Sequence, residues 1–215
     1  MKIPIILKIL LVVILPLLLF LAVLKFSAFD GSFYQKEFSK LGVEKEVSNA
    51  NSLHEDVIAF LKGNGALPED FNEREKSHLS DVKRLAKNAN LLMYFLIALF
   101  VLLSAASVHV IGDNRYSINF IGNSLLYGGI LSIAIYAALF FSLSLGFSDV
   151  FDSFHRLFFT QGTYTFDAAN EIIVKLYPEQ LFMDLGIRIF RLAILSSVFT
   201  TILGAFLIAR SKKNK

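Results

Sequence analysis

Apolar and polar positions along this chain fall into long blocks rather than a short alternation. Four blocks are poor in charge: Ile3 to Phe26, Leu91 to Ile111, Phe120 to Phe147 and Leu185 to Ala209. Each reaches the roughly 20 residues needed to cross about 30 Å of hydrocarbon. Lipid offers backbone amides no water to bond to, so a span must satisfy them internally, and the blocks are predicted to be helices. Pro16 is expected to kink the first. The apolar stretch of residues 1–26 is too long for a cleavable signal, and no small-x-small site precedes Asp30, so it reads as a retained anchor.

The polar stretches between the blocks have a helical pattern of their own. Phe33 to Phe38 reads as a short extended or amphipathic piece, and Asn49 to Asn51 as a loop. Ser52 and Glu55 fit a capping box, opening a helix with Leu53, Val57, Ile58, Phe60 and Leu61 that stops at Gly63-Asn64-Gly65. Past a turn at Ala66–Asp70, Asp70 or Asn72 can cap the next helix, whose first turn holds Glu73 and Glu75, as the helix dipole favours. No breaker follows until Gly112, so residues 72–110 are predicted to be one helix. The second polar stretch opens with Phe147, Val150, Phe151, Phe154, Leu157 and Phe158, an aromatic stripe suited to a lipid interface. Gln161-Gly162 is expected to end that helix, and Thr165 to Asp167 to cap another with Ile172, Ile173, Leu176 and Tyr177 on its apolar side. The predicted fold is all-α: an integral membrane protein with four transmembrane helices and an extracytoplasmic helical cap, residues 1–215 forming a single membrane domain.

Charge supplies the orientation. The C-terminal tail carries Arg210, Lys212, Lys213 and Lys215 without an acid, Lys2 lies at the other end, and the link Gly112 to Asn119 carries Arg115 and Asp113. By the positive-inside rule both termini and this link are cytoplasmic, and stretches 27–90 and 148–184 face outward from the plasma membrane. The formal net charge of +3 belongs mostly to this inner edge, so nucleic acid is not an expected partner. Cysteine is absent, which excludes thiol nucleophiles, disulfides and thiolate metal sites.

Within this apolar chain, two polar constellations stand out: Glu75-Lys76-Ser77-His78-Leu79-Ser80-Asp81 and Phe151-Asp152-Ser153-Phe154-His155-Arg156-Leu157-Phe158-Phe159. Each sets a histidine three residues from an aspartate, close enough on a helix face to pair. Both lie on the predicted outer side, and histidine is the side chain best suited to moving protons near neutral pH. Separately, each is explained as a surface pair; together they suggest one acid–base site at a lipid surface. His54 reads as a surface residue, and His109, near the cytoplasmic end of the second span, as structural. His78, Asp81, Asp152 and His155 carry ligand types that suit zinc, but no HExxH or comparably specific spacing accompanies them. No G-x-S-x-G elbow is present for a serine hydrolase. Arg188 and Arg191 sit just inside the outer end of the fourth span, where a cation is partnered, functional, or snorkelling to phosphates.

These residues carry a resemblance. Phe71-Asn-Glu-Arg-Glu-Lys-Ser-His78-Leu-Ser-Asp81-Val-Lys83, then Phe154-His155-Arg-Leu-Phe-Phe159 and Asn170 to Asp184, resemble the lipoprotein intramolecular transacylase family, Lit, over nearly the whole chain. The chain differs in having Tyr164 where the family has tryptophan, and Leu79 where methionine is frequent. The resemblance implies an acyltransferase that moves the sn-2 acyl chain of a diacylglyceryl group to the α-amine of the lipidated N-terminal cysteine, giving a lyso-form lipoprotein. Its partners would be a diacylated lipoprotein N-terminus and membrane lipid. No cofactor or metal is called for, and a monomer is expected. His78 and His155 would share the acid and base roles, with Asp81 and Asp152 orienting the rings. Arg156, Tyr164 and Arg188 are candidates for the oxyanion or head group, and Phe154 and Phe158 for contacts to substrate. Two other classes stay open: a non-catalytic factor binding lipid or a partner through the aromatic stripe, and a metal-dependent membrane hydrolase. Imidazoles more than about 10 Å apart would favour the non-catalytic factor.

Overall fold

The computed structural model describes residues 3–159, 164–167 and 169–213. Within them the chain is helical and no strand occurs. The elements are α1 (Ile3–Ala28), α2 (Gly31–Leu41), α3 (Val43–Glu46), α4 (Ala50–Lys62), α5 (Glu73–Ile111), α6 (Asn114–Leu145), α7 (Phe147–Phe158), α8 (Ile172–Leu176) and α9 (Glu179–Lys213). Four of them, α1, α5, α6 and α9, are long and apolar enough to cross a membrane. The protein is thus an all-α, multi-pass integral membrane protein.

Two compact units emerge. One comprises the described parts of residues 1–24, 90–141 and 188–215. Its helices turn large apolar side chains outward, among them Leu91, Leu102, Phe199 and Ile202, each more than half exposed. That pattern is inverted relative to a water-soluble bundle and is what a lipid solvent requires. Small residues form its seams. A Cβ built on Gly204 of α9 would come 2.5 Å from the Leu126 amide nitrogen and 2.6 Å from the Gly122 carbonyl oxygen of α6. One built on Gly129 would meet the Ser197 carbonyl oxygen at 2.9 Å. Glycine here lets two backbones touch, which supplies packing where no hydrophobic force draws helices together. Pro16 lies inside α1, which continues through it, and the Pro16 carbonyl accepts a hydrogen bond from the buried Tyr136 hydroxyl.

The other unit comprises residues 25–89 and the described parts of 142–187. Phe33 to Phe38 fall within α2, so this piece is not extended; it is an amphipathic helix with Tyr34 and Phe38 on its buried side. Gly42 and Gly63 take left-handed φ values of 72° and 90° and end α2 and α4. The Ser52–Glu55 capping box does not form: α4 begins at Ala50, and Ser52 lies within its first turn. A capping box forms at α5 instead. Asn72 Oδ1 accepts from the Arg74 and Glu75 amides at 2.9 and 3.0 Å, and Glu75 Oε2 accepts from the Asn72 amide at 2.7 Å. The predicted link of 112–119 shrinks to Gly112 and Asp113, because α6 starts at Asn114, where Asp113 Oδ1 accepts from the Tyr116 amide at 2.9 Å. Thr165 to Asp167 form no helix cap; Asp167 closes a turn by accepting from the Ala169 amide at 2.9 Å, and α8 starts at Ile172. The predicted break at Gln161-Gly162 lies outside the described residues.

Candidate active site

Both histidines belong to the second unit. His78 sits on α5 one turn beyond the capping box and well before the apolar run that opens at Leu91. His155 sits near the end of α7. The two rings lie nearly parallel, with centroids 6.2 Å apart and an interplanar angle of 24°. That separation is about twice a hydrogen-bond length, so one reacting group can come within reach of both.

Aromatic rings enclose the pair. Phe159 stands 4.8 Å from His78 and 5.5 Å from His155. Phe166 meets His78 edge-on at 5.4 Å. Phe151, Tyr164 and Phe154 lie 4.2, 5.1 and 5.6 Å from His155. Phe158 packs on Phe154 at 4.9 Å. Phe154 and Phe158 remain 43% and 47% exposed, so each offers apolar surface to a substrate chain.

The surroundings separate the two rings chemically. His78 is 7% exposed, and burial pushes its pKa down to about 4. The neighbouring His155 adds to that shift, and Asp81 opposes it weakly. His78 is therefore neutral at physiological pH, and its Nδ1 is buried with no hydrogen-bond partner among the described residues. His155 is half-buried, and its Nδ1 lies 2.8 Å from the Phe151 carbonyl oxygen. A carbonyl only accepts, so Nδ1 carries the proton and the neutral ring keeps its lone pair on Nε2.

Neither predicted His–Asp pair forms. Asp81 accepts from Arg84 Nη2 at 2.7 Å, because a guanidinium one turn on outcompetes a neutral imidazole. Asp152 is exposed, while the His155 ring leans back along α7 onto the carbonyl four residues earlier. Arg156 is also exposed and donates to Ser153 Oγ at 3.1 Å instead of reaching the ring pair. Tyr164 does join the site. Arg188 belongs to the first unit. Sequence reasoning missed Phe151, Phe159 and Phe166 as walls of the site, although the first two lie in the motif around His155. Among the described residues, no three His, Asp or Glu side chains group as a metal site would need.

A family profile described as lipoprotein intramolecular transacylase Lit matches residues 9–182. The chain belongs to this family. It is accordingly a membrane-integral acyltransferase of lipoproteins, which a non-catalytic role and a metal-dependent hydrolase do not describe. Solved structures agree on the fold. The membrane-integral lipoprotein intramolecular transacylase Lit from Bacillus cereus superposes with a TM-score of 0.85 at 20% identity, covering 98% of each chain. A form of the same Bacillus cereus protein with a histidine changed to arginine gives 0.80 at 19% identity, covering 99% of this chain and 95% of that one. A histidine-to-alanine form gives 0.80 at 20%, covering 98% and 96%. No curated protein sequence matches this chain.

Proposed function

We propose that His78 and His155 carry out a direct O-to-N acyl migration within a diacylated lipoprotein. The α-amine of the lipidated cysteine attacks the carbonyl carbon of the sn-2 ester. A C–N bond forms, the C–O bond to glycerol breaks, one proton leaves the amine and one is delivered to the glycerol oxygen. No water is consumed and no acyl-enzyme is needed, which agrees with a chain that has no cysteine and no serine elbow. Holding amine and ester on one lipid anchor supplies much of the rate through proximity.

The two environments suggest different tasks. His155, with Nδ1–H tied to the Phe151 carbonyl, presents Nε2 to take the amine proton and return it to the glycerol oxygen. His78, kept neutral by burial, donates its ring N–H to the oxyanion, as a neutral imidazole with a depressed pKa can. Phe154 and Phe158 line the path of the acyl chain, and Tyr164 is a second donor beside His155. The basic C-terminal tail and Gly112–Asn119 support cytoplasmic termini and an outward-facing site.

The observation that carries this reading is the 6.2 Å separation of the imidazoles inside one aromatic enclosure. The test is the lipid mass of a reporter lipoprotein incubated with purified variants. His155→Gln should lose about 100-fold or more in rate, the range of a general base. His78→Gln, which keeps an N–H donor, should retain more activity than His78→Leu. Lyso-form product at the normal rate from His155→Gln would sink the assignment.

A further inference from the structure

Tyr164 and Phe166 form one wall of the histidine site, yet neither lies in a regular element and neither is buried. Their placement must come from whatever ties their stretch of chain down. The ties converge on two consecutive residues of α5. Arg74 Nη2 donates to the Thr165 carbonyl and, at 3.2 Å, to Glu171 Oε2, and its guanidinium lies over the Phe166 ring at 5.1 Å. Glu171 Oε2 accepts from the Asp167 amide at 2.6 Å, which folds the stretch onto the same carboxylate. Glu75 is 1% exposed, and its Oε1 accepts from the Ile173 amide at 2.8 Å while its Oε2 holds the Asn72 amide.

We propose that Arg74 and Glu75 fasten Tyr164–Asp167 and Ala169–Ile173 across the histidine pair, and so act as positioning residues for acyl transfer. This rests on the reading of His78 and His155 as the reacting pair. The two residues lie four and three positions before His78 on α5, so the anchors and the ring share one side of a rigid helix. Glu75 fixes the far end of the stretch through a buried carboxylate that bonds two amides at once. Arg74 fixes the near end through a planar fork that also stacks on Phe166, whose edge meets His78. The Arg74 side chain is half exposed and its ion pair to Glu171 lies at the surface, where such a pair adds little to stability. Its effect therefore falls on geometry, and small displacements of positioning groups cost large factors in rate.

The test uses the full-length protein in detergent or liposomes with a diacylated reporter lipoprotein. Arg74→Gln should lower kcat about tenfold or more, with KM within about twofold and an unchanged melting midpoint. Arg74→Lys should not rescue it, since an ammonium cannot fork to two acceptors and stack on a ring together. Phe166→Leu should give a similar loss, and the double variant should lose no more than the stronger single one. Arg74→Gln with kcat within twofold of the parent, or losses that simply add in the double variant, would overturn the proposal. Glu75→Gln leaves one of two amides without an acceptor and should also lower kcat; a folded Glu75→Gln protein of full activity would remove Glu75 from it. Inactive histidine variants beside fully active Arg74 variants would reject the clamp and keep the site. Active histidine variants would reject the site itself.

Discussion

His54 shows how a single residue can be misplaced by local reasoning. It follows a polar start to its helix and reads as a surface side chain. In the fold it is 4% exposed and packed among aromatic rings, 4.1 Å from Tyr34 and 5.6 Å from Phe38. Its Nδ1 lies 3.0 Å from the Tyr177 hydroxyl, and its Nε2 has no hydrogen-bond partner among the described residues. The signal was present, since His54 shares the buried side of α4 with Ala50, Leu53 and Val57. Burial lowers its pKa to about 4, as it does for His78. Unfolding exposes both rings, so below about pH 6.5 the unfolded state takes up protons that the folded state refuses. Stability is therefore fully present above pH 6.5 and is lost as the pH falls from 6.5 toward 4. Thermal melts across that window should show a falling midpoint, and His54→Phe should make the decline shallower, leaving the share due to His78. An identical slope in the variant would refute the assignment to His54.

At the scale of elements, α5 was legible almost to the residue: one helix predicted over 72–110, observed as Glu73–Ile111. The acid-rich first turn, the candidate cap Asn72 and the absence of a breaker were all in the sequence. Sequence did not show that Glu75 serves the cap and α8 together. Asn72→Ala removes the acceptor of two amides and should destabilise the protein by about 1 kcal/mol, a typical cost of losing such a cap. Asn72→Asp, which keeps the oxygens, should recover most of that in a denaturant titration; equal losses in both would argue against capping. The His–Asp pairs fail for an elemental reason. Spacing along a helix allows a contact, but each side chain chooses among all partners within reach. Arg84 takes Asp81, and a backbone carbonyl takes His155.

For the molecule as a whole, lipid is the solvent that the membrane-spanning unit is built for. In the spanning unit, large apolar side chains face outward and glycines make the seams. Gly204→Leu would drive a side chain into the backbone of α6 rather than into a flexible neighbour. It should cost on the order of 1–3 kcal/mol or more, the usual range for overpacking. Gly63→Ala ends no such seam, although its left-handed φ carries a strain of its own. Comparing melting midpoints of the purified proteins tests this: a Gly204→Leu variant as stable as the parent would mean that the close approach is not needed.

The sequence by itself determined the four spans, the all-helical class, the membrane as solvent and the two histidine-bearing stretches. Those depend on hydrophobic run length, helix periodicity and the absence of breakers, which are local properties of a chain. Its motifs were also enough to suggest the family, which the profile match over residues 9–182 then established. Only the tertiary structure decided that the two imidazoles lie 6.2 Å apart, that His78 is buried and His155 is not, and that Arg74 and Glu75 reach the segment beside them. Distances between residues remote in sequence, and the burial that sets a proton's affinity, are fixed by how helices pack, and no spacing along the chain encodes them.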